Sequence, residues 1–431
     1  MKKRLLSILM VLCLAVSLVT PVVAVGEEPI EEPVAAIGET PYATLDAAIN
    51  AANETAEVET IRLLADCTLS PMWGTLENPI VIDGGENKYT INSDVAFGLH
   101  SWHQSVTFRN CVVNFYASNE TSTNYGAINL GSGAKLTFDN TEATFDGTNF
   151  SGNANGIYFW NATTSMDVIN GSVLTIKDFP VNAMLWEAGD GYRLKIEDST
   201  YVSNHNRSGF TGTFNVTITG SNVDVINSTG NASNGSNFEI KDSTVNFNDN
   251  KDHGLSAGTL LIDHSTVTAT GNGANGIHTN STLTIQNDSV VTIKDNDCSI
   301  SSQWTIPGAL YVGAGESVIK DSIVTIQNNS GSGIYQKAAS ASLTIEDSAT
   351  VTVTNNTAVK LGLGGGIYVN GNASLADNVV LYNNHAGTAG DDIYVADGGK
   401  IFFGPIGDGW YLDGDGDKMD CNGARHASDG W

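Results

Sequence analysis

Five isoleucines constrain this chain more than any other feature. Ile196, Ile218, Ile240, Ile262 and Ile285 succeed one another at steps of 22, 22, 22 and 23 residues. Each closes a short apolar phrase: Leu194-Lys195-Ile196, Val216-Thr217-Ile218, Phe238-Glu239-Ile240, Leu260-Leu261-Ile262 and Leu283-Thr284-Ile285. A fixed period of this size marks a solenoid. No helical pattern lies between the phrases, so the repeat is a β-coil rather than a helical or leucine-rich unit.

Two more phrases interleave with the first. One is Gly, a small or branched apolar residue and often Tyr, as in Gly156-Ile157-Tyr158, Gly333-Ile334-Tyr335 and Gly366-Ile367-Tyr368. The other is a β-branched run such as Thr244-Val245-Asn246-Phe247 or Val351-Thr352-Val353-Thr354. Three strands per turn predict three stacked sheets. In an extended Leu-Thr-Ile the Leu and Ile face one side and the Thr the other. Paired turn residues, Asn328-Asn329, Asn355-Asn356 and Asn383-Asn384, tolerate left-handed backbone and can stack into hydrogen-bonded ladders. The fold expected is an all-β, right-handed parallel β-helix solenoid of three sheets and about 14 coils.

The ends differ from the middle. Lys2, Lys3 and Arg4, the apolar run Leu5 to Val19 and the small residues Val22-Val23-Ala24 form a secretory signal peptide over residues 1–24. Residues 25–38 are acidic and Pro-bearing, as a linker is. Leu45, Ala48, Ile49 and Ala52 fall on one helical face behind Thr44, a good N-cap. That helix suits an N-terminal cap, because the first coil exposes apolar side chains and unpaired backbone. The expected division is cap and first coils over 39–104, β-helix over 105–403 and a non-repeat tail over 404–431. The tail stops at Asp429-Gly430-Trp431 without a polar end, as a fragment of a longer surface protein would.

Charge narrows the partners. Asp and Glu number 47 against 20 Lys and Arg, a formal net charge of −27, and processing would remove three of the cations. Such a surface repels polyanions, so neither nucleic acid nor anionic membrane is an expected partner. No second apolar run reaches spanning length, and membrane insertion is not expected. Cys67, Cys111, Cys298 and Cys421 lie far apart without a CxxC pair, which argues against a disulfide framework or zinc site.

Gly364-Gly365-Gly366-Ile367-Tyr368, Leu381-Tyr382-Asn383-Asn384 and Asp391-Asp392-Ile393-Tyr394 resemble the coil repeats of polymorphic-outer-membrane-protein-type and other adhesin-like β-helix proteins. The opening Tyr42-Ala43-Thr44-Leu45-Asp46-Ala47-Ala48-Ile49, with Ile82-Asp83-Gly84-Gly85, is similar to the N-terminal cap of pectate-lyase-like β-helices. These families include adhesins, passenger domains, polysaccharide lyases and glycoside hydrolases, so the resemblance implies a fold and a choice of functions. Enzymes of the class work in a lateral groove. Their Arg-rich, Gly-His-Gly and Arg-x-Lys signatures do not occur here. Lys251-Asp252-His253-Gly254 and Asp391-Asp392 are fragments of such patterns and suit turns equally well.

Candidate sites therefore lie where the repeat breaks. Trp160, Trp186 and Tyr192 can stack on sugar rings through their faces. Glu187 and Asp190 are the acid–base pair of the enzymatic alternative. Asp413, Asp415, Asp417 and Asp420 offer oxygen ligands for calcium, although Lys418 stands where an EF-hand loop needs Gly. No other cofactor is expected. His253, His264 and His278 do not share a phase in the 22-residue repeat and should not stack into a metal site. The regular coils from Leu194 to Ile285 read as scaffold alone. The resulting expectation is a monomeric, secreted or wall-associated, adhesin-like module that binds glycan, polysaccharide or a host surface, with no catalytic residue. The alternative is a polysaccharide lyase or glycoside hydrolase.

Overall fold

The computed structural model describes residues 32–403, apart from 56, 71–75, 96–99, 132, 161–162, 188–190, 213, 299–307, 359–361 and 377. The signal peptide, Asp190 and the four C-terminal aspartates lie outside the described residues.

The repeat folds as its alternation demands. Fourteen strands, from Glu59–Leu63 to Lys400–Phe403, stack in parallel as the first sheet. The Leu-Thr-Ile phrases occupy it in register, with Ile196 on Ile218, Ile218 on Ile240 and Ile240 on Ile262. Leu194, Ile196, Ile218, Ile240 and Ile262 have no measurable exposure beyond 0 %, while the residue between each pair points outward. Each such burial contributes about 1.5–3 kcal/mol. At about 4.8 Å per coil the stack is about 60 Å long.

The β-branched phrases form the second sheet, thirteen strands from Cys67–Thr68 to Val380–Tyr382. The Gly-Ile-Tyr phrases form the third, from His100–Trp102 to Ile393–Val395. The third and first sheets fuse at Leu255–Asp263, a strand whose two halves pair separately with Ile277–Thr279 and Leu283–Gln286. Successive strands of each sheet are thus joined by parallel crossovers, which take the right-handed sense. The molecule is a three-sheet parallel β-helix.

Corners are held by two buried ladders. Between the first and second sheets a left-handed residue such as Asn140, Asp198, Asp242 or His264 turns the chain. A buried hydroxyl follows, and its oxygen accepts the backbone N–H of the equivalent residue one coil earlier. The bonds run from Thr141 to Ser172, Ser199, Ser221, Ser243, Ser265 and Ser289 at 3.0–3.2 Å. The corner after the second sheet carries the asparagines. Asn328, Asn355 and Asn383 take the left-handed conformation. Their neighbours Asn329, Asn356 and Asn384 point inward as the ladder. One residue of each pair supplies the turn and the other supplies the hydrogen bonds.

The helix Leu45–Asn53 covers the N-terminal end through Leu45, Ala48, Ile49 and Ala52, and Thr44 Oγ1 accepts the Ala47 N–H at 3.1 Å. One boundary differs from expectation. Ala35–Ile37, assigned to the linker, is a strand antiparallel to both Thr40–Tyr42 and Glu59–Leu63. Its buried Ala35 and Ala36 close the sheet edge that the first coil would otherwise expose. Among the described residues no helix is long and apolar enough to cross a membrane.

Candidate functional site

Trp186 and Tyr192 do not offer ring faces to a ligand. Trp186 is 1 % exposed and lies between Phe159 and Phe214, stacked at ring centroids 4.1 and 3.8 Å. Strand alternation turns it inward, where a large flat ring fills the space between coils. Tyr192 is 2 % exposed. These two assignments are corrected: the aromatics are core.

Trp160 is different. It is half-buried, meets His103 edge-on at 5.8 Å and lies over Gly131, where a Cβ would fall 2.4 Å from its ring. Only glycine leaves that space. Phe159 and Trp186 are partners in register, so Trp160 and Glu187 are the next residues along adjacent strands. Glu187 is exposed and accepts the hydroxyl of Tyr158. Burial and that carboxylate push the Tyr158 phenol above its ordinary value, so it remains a donor. Tyr158 in turn sits against Tyr125, rings 5.9 Å apart and tilted by 52°. Glu187 of the enzymatic alternative is thereby tied to a tyrosine; its partner in that reading, Asp190, lies outside the described residues. The sequence flagged the Tyr158–Trp160 aromatics but gave no sign of Tyr125, which lies a full coil earlier.

The outer face of the first sheet holds a second arrangement. Asp167, whose side chain is 8 % exposed, pairs with Lys135 at 2.6 Å and Arg193 at 3.2 Å, one from each flanking coil. Lys195 pairs with Glu197 at 2.6 Å and Lys241 with Glu239. Beyond this charged stretch lies a groove of about 530 Å³ across four successive coils. Its walls are Asn215, Thr217, Asn237, Glu239, Thr259, Leu261, Thr282 and Thr284. Asn237 is held in place, donating to Asn215 Oδ1 at 3.1 Å and accepting from the Thr259 N–H at 3.1 Å. The groove therefore lies in the most regular coils, which the sequence marks only as scaffold. Outward residues of identical register leave no break in the repeat to betray them.

Two of the histidines are neighbours across coils. His253 and His278 meet edge to face at 5.6 Å, and His278 packs on Tyr311 at 4.2 Å. The Gly254 N–H donates to the Asn275 carbonyl at 3.0 Å, so the turn carrying His253 rests on the next coil and its ring reaches across. Burial holds both imidazoles below the ordinary value, His278 at about 4. A column of stacked rings continues outward from Tyr311 through Tyr335 and Tyr368 to Tyr394. Among the described residues no group of three or more His, Cys, Asp or Glu is arranged to hold a metal ion. Cys67, Cys111 and Cys298 are free thiols.

These features define a β-helix with a polar lateral groove. No family model and no curated protein matches the chain. Among solved structures it is similar to the periplasmic alginate epimerase AlgG, at 9 % identity over 83 % of this chain and 86 % of that one, with a TM-score of 0.27. A mutant form of the same epimerase gives 10 % identity over the same shares and a TM-score of 0.31.

Proposed function

We propose that this chain is an exported β-helix module that binds an uncharged polysaccharide along the outer face of its first sheet. The observation carrying this reading is the groove from Asn215 to Thr284. It presents amides and hydroxyls on coil after coil at about 4.8 Å, with Leu261 as an apolar contact. Such groups both donate to and accept from sugar hydroxyls. The cations beside it are already paired with carboxylates, which leaves little for a polyanion. The basic, apolar and small-residue order of residues 1–24 supports export, and the adhesin-like coil phrases support a binding rather than a catalytic role.

The test is retention of the purified chain on immobilised neutral polysaccharides, compared with Asn237→Ala and Thr217→Ala. Binding that these variants weaken supports the reading. Binding unaffected by both, or none to any neutral polymer, rejects it.

Asp167 favours a second reading, a polysaccharide lyase or hydrolase. A nearly buried carboxylate between two cations on the lateral face is a candidate for chemistry rather than contact. Release of new chain ends from a polysaccharide, abolished by Asp167→Asn, would support it.

A further inference from the structure

The first sheet carries a second hollow on its outer face, nearer the C-terminal end. It holds about 520 Å³, and Thr344, Glu346, Ser348 and Ser374 are among its walls. One outward column joins it to the groove. From Leu261 in the groove, successive strands place Thr284, Val318, Thr344, Ser374 and Phe402 in register. Phe402 is 56 % exposed, so the column ends on an aromatic ring in solvent.

We infer that this second hollow and Phe402 form a further subsite for the polysaccharide, so that the face selects long linear chains over short ones. The inference rests on the groove reading given above. Groove and hollow supply different contacts. The groove has amides, hydroxyls and Leu261 but no aromatic residue. Phe402 adds a large apolar surface for a sugar ring, while Thr344, Ser374 and Glu346 meet sugar hydroxyls. Val318 continues the apolar contacts between the two. The groove crosses four coils, about 14 Å at about 4.8 Å per step. From the strand of Thr217 to that of Phe402 there are seven pairings, about 34 Å on the same spacing. A chain that reaches both stretches makes its second contact within one complex, at a high effective concentration, and gains affinity that a chain confined to the groove does not.

The test is calorimetric titration of the full chain with β-1,4-xylan, β-1,4-mannan and mixed-linkage β-glucan, each as trisaccharide and as decasaccharide. For a glycan that binds, the decasaccharide should bind about tenfold or more tightly than the trisaccharide. Phe402→Ala should remove most of that advantage and leave the trisaccharide, which the groove alone can hold, nearly unchanged. Phe402→Tyr, which keeps the ring, should bind like the parent, and Asn237→Ala should weaken both lengths. Equal affinity at the two lengths, or a decasaccharide advantage untouched by Phe402→Ala, would overturn the subsite while an effect of Asn237→Ala upheld the groove. No binding of any of these glycans at either length would reject the groove reading and the subsite with it. An unchanged circular dichroism spectrum of the Phe402→Ala variant confirms that folding is not the cause.

Discussion

Replacing Asn296 with alanine should expose how much the inner asparagine ladder contributes. The Asn296 side chain donates to the Ala269 carbonyl and to Asn329 Oδ1, both at 2.9 Å. Its oxygen accepts the Asn272 backbone N–H at 3.0 Å and the Asn272 side-chain amide at 2.9 Å. All of these groups are buried. Alanine leaves the Asn272 N–H and the Ala269 carbonyl without partners in a space water does not reach. Each orphaned group costs about 1–3 kcal/mol, so the variant should lose about 3–5 kcal/mol. In a solenoid each coil contacts only its neighbours, so the loss should be local. Hydrogen exchange read by mass spectrometry should show the Asn272 amide and the coils flanking it exchanging about 100-fold to several-thousand-fold faster, at about 1.4 kcal/mol per tenfold. Coils near Phe108 should keep their protection. Asn222→Ala, exposed on the second sheet outside the ladder, is the control. Loss of less than about 1 kcal/mol at Asn296, or uniform loss along the rod, would refute both the ladder's role and the locality.

Other outcomes follow from single contacts. Burial pushes the Cys111 and Cys298 thiols up to about 12, so neither should be alkylated in the native protein at pH 8, and both should be in urea; peptide mapping reads this. His278 titrates near 4 when folded, below its ordinary 6.5. The unfolded chain binds the proton first, so stability should be full above pH 6.5 and fall by roughly 3 kcal/mol as pH drops to about 4. A His278→Gln variant should flatten that slope in urea titrations; an unchanged slope would count against it. Gly131→Val should displace the Trp160 ring and red-shift its fluorescence, whereas Gly38→Ala, which strains a left-handed turn (φ +57) but meets no neighbouring atom, should leave the emission unchanged.

The period of the isoleucines determined the solenoid, because a constant step with alternating polarity admits one stacking in which every apolar residue is buried. The helix Leu45–Asn53 was legible for the same reason, its four apolar residues matching a single face. Turn asparagines were legible as turns. Which of each pair bends the chain and which joins the buried ladder depended on how successive coils align, a matter between residues 22 to 33 positions apart. Tertiary structure alone decided the sites. Trp186 and Trp160 look alike in sequence, but alternation buries one between Phe159 and Phe214 and leaves the other half-exposed above Gly131. The pairing of Tyr125, Tyr158 and Glu187, and the groove walls from Asn215 to Thr284, arise because stacking brings residues a full coil apart to within one strand spacing. Local sequence carries the alternation that turns a side chain inward or outward. It does not carry which outward side chain becomes its neighbour in the next coil.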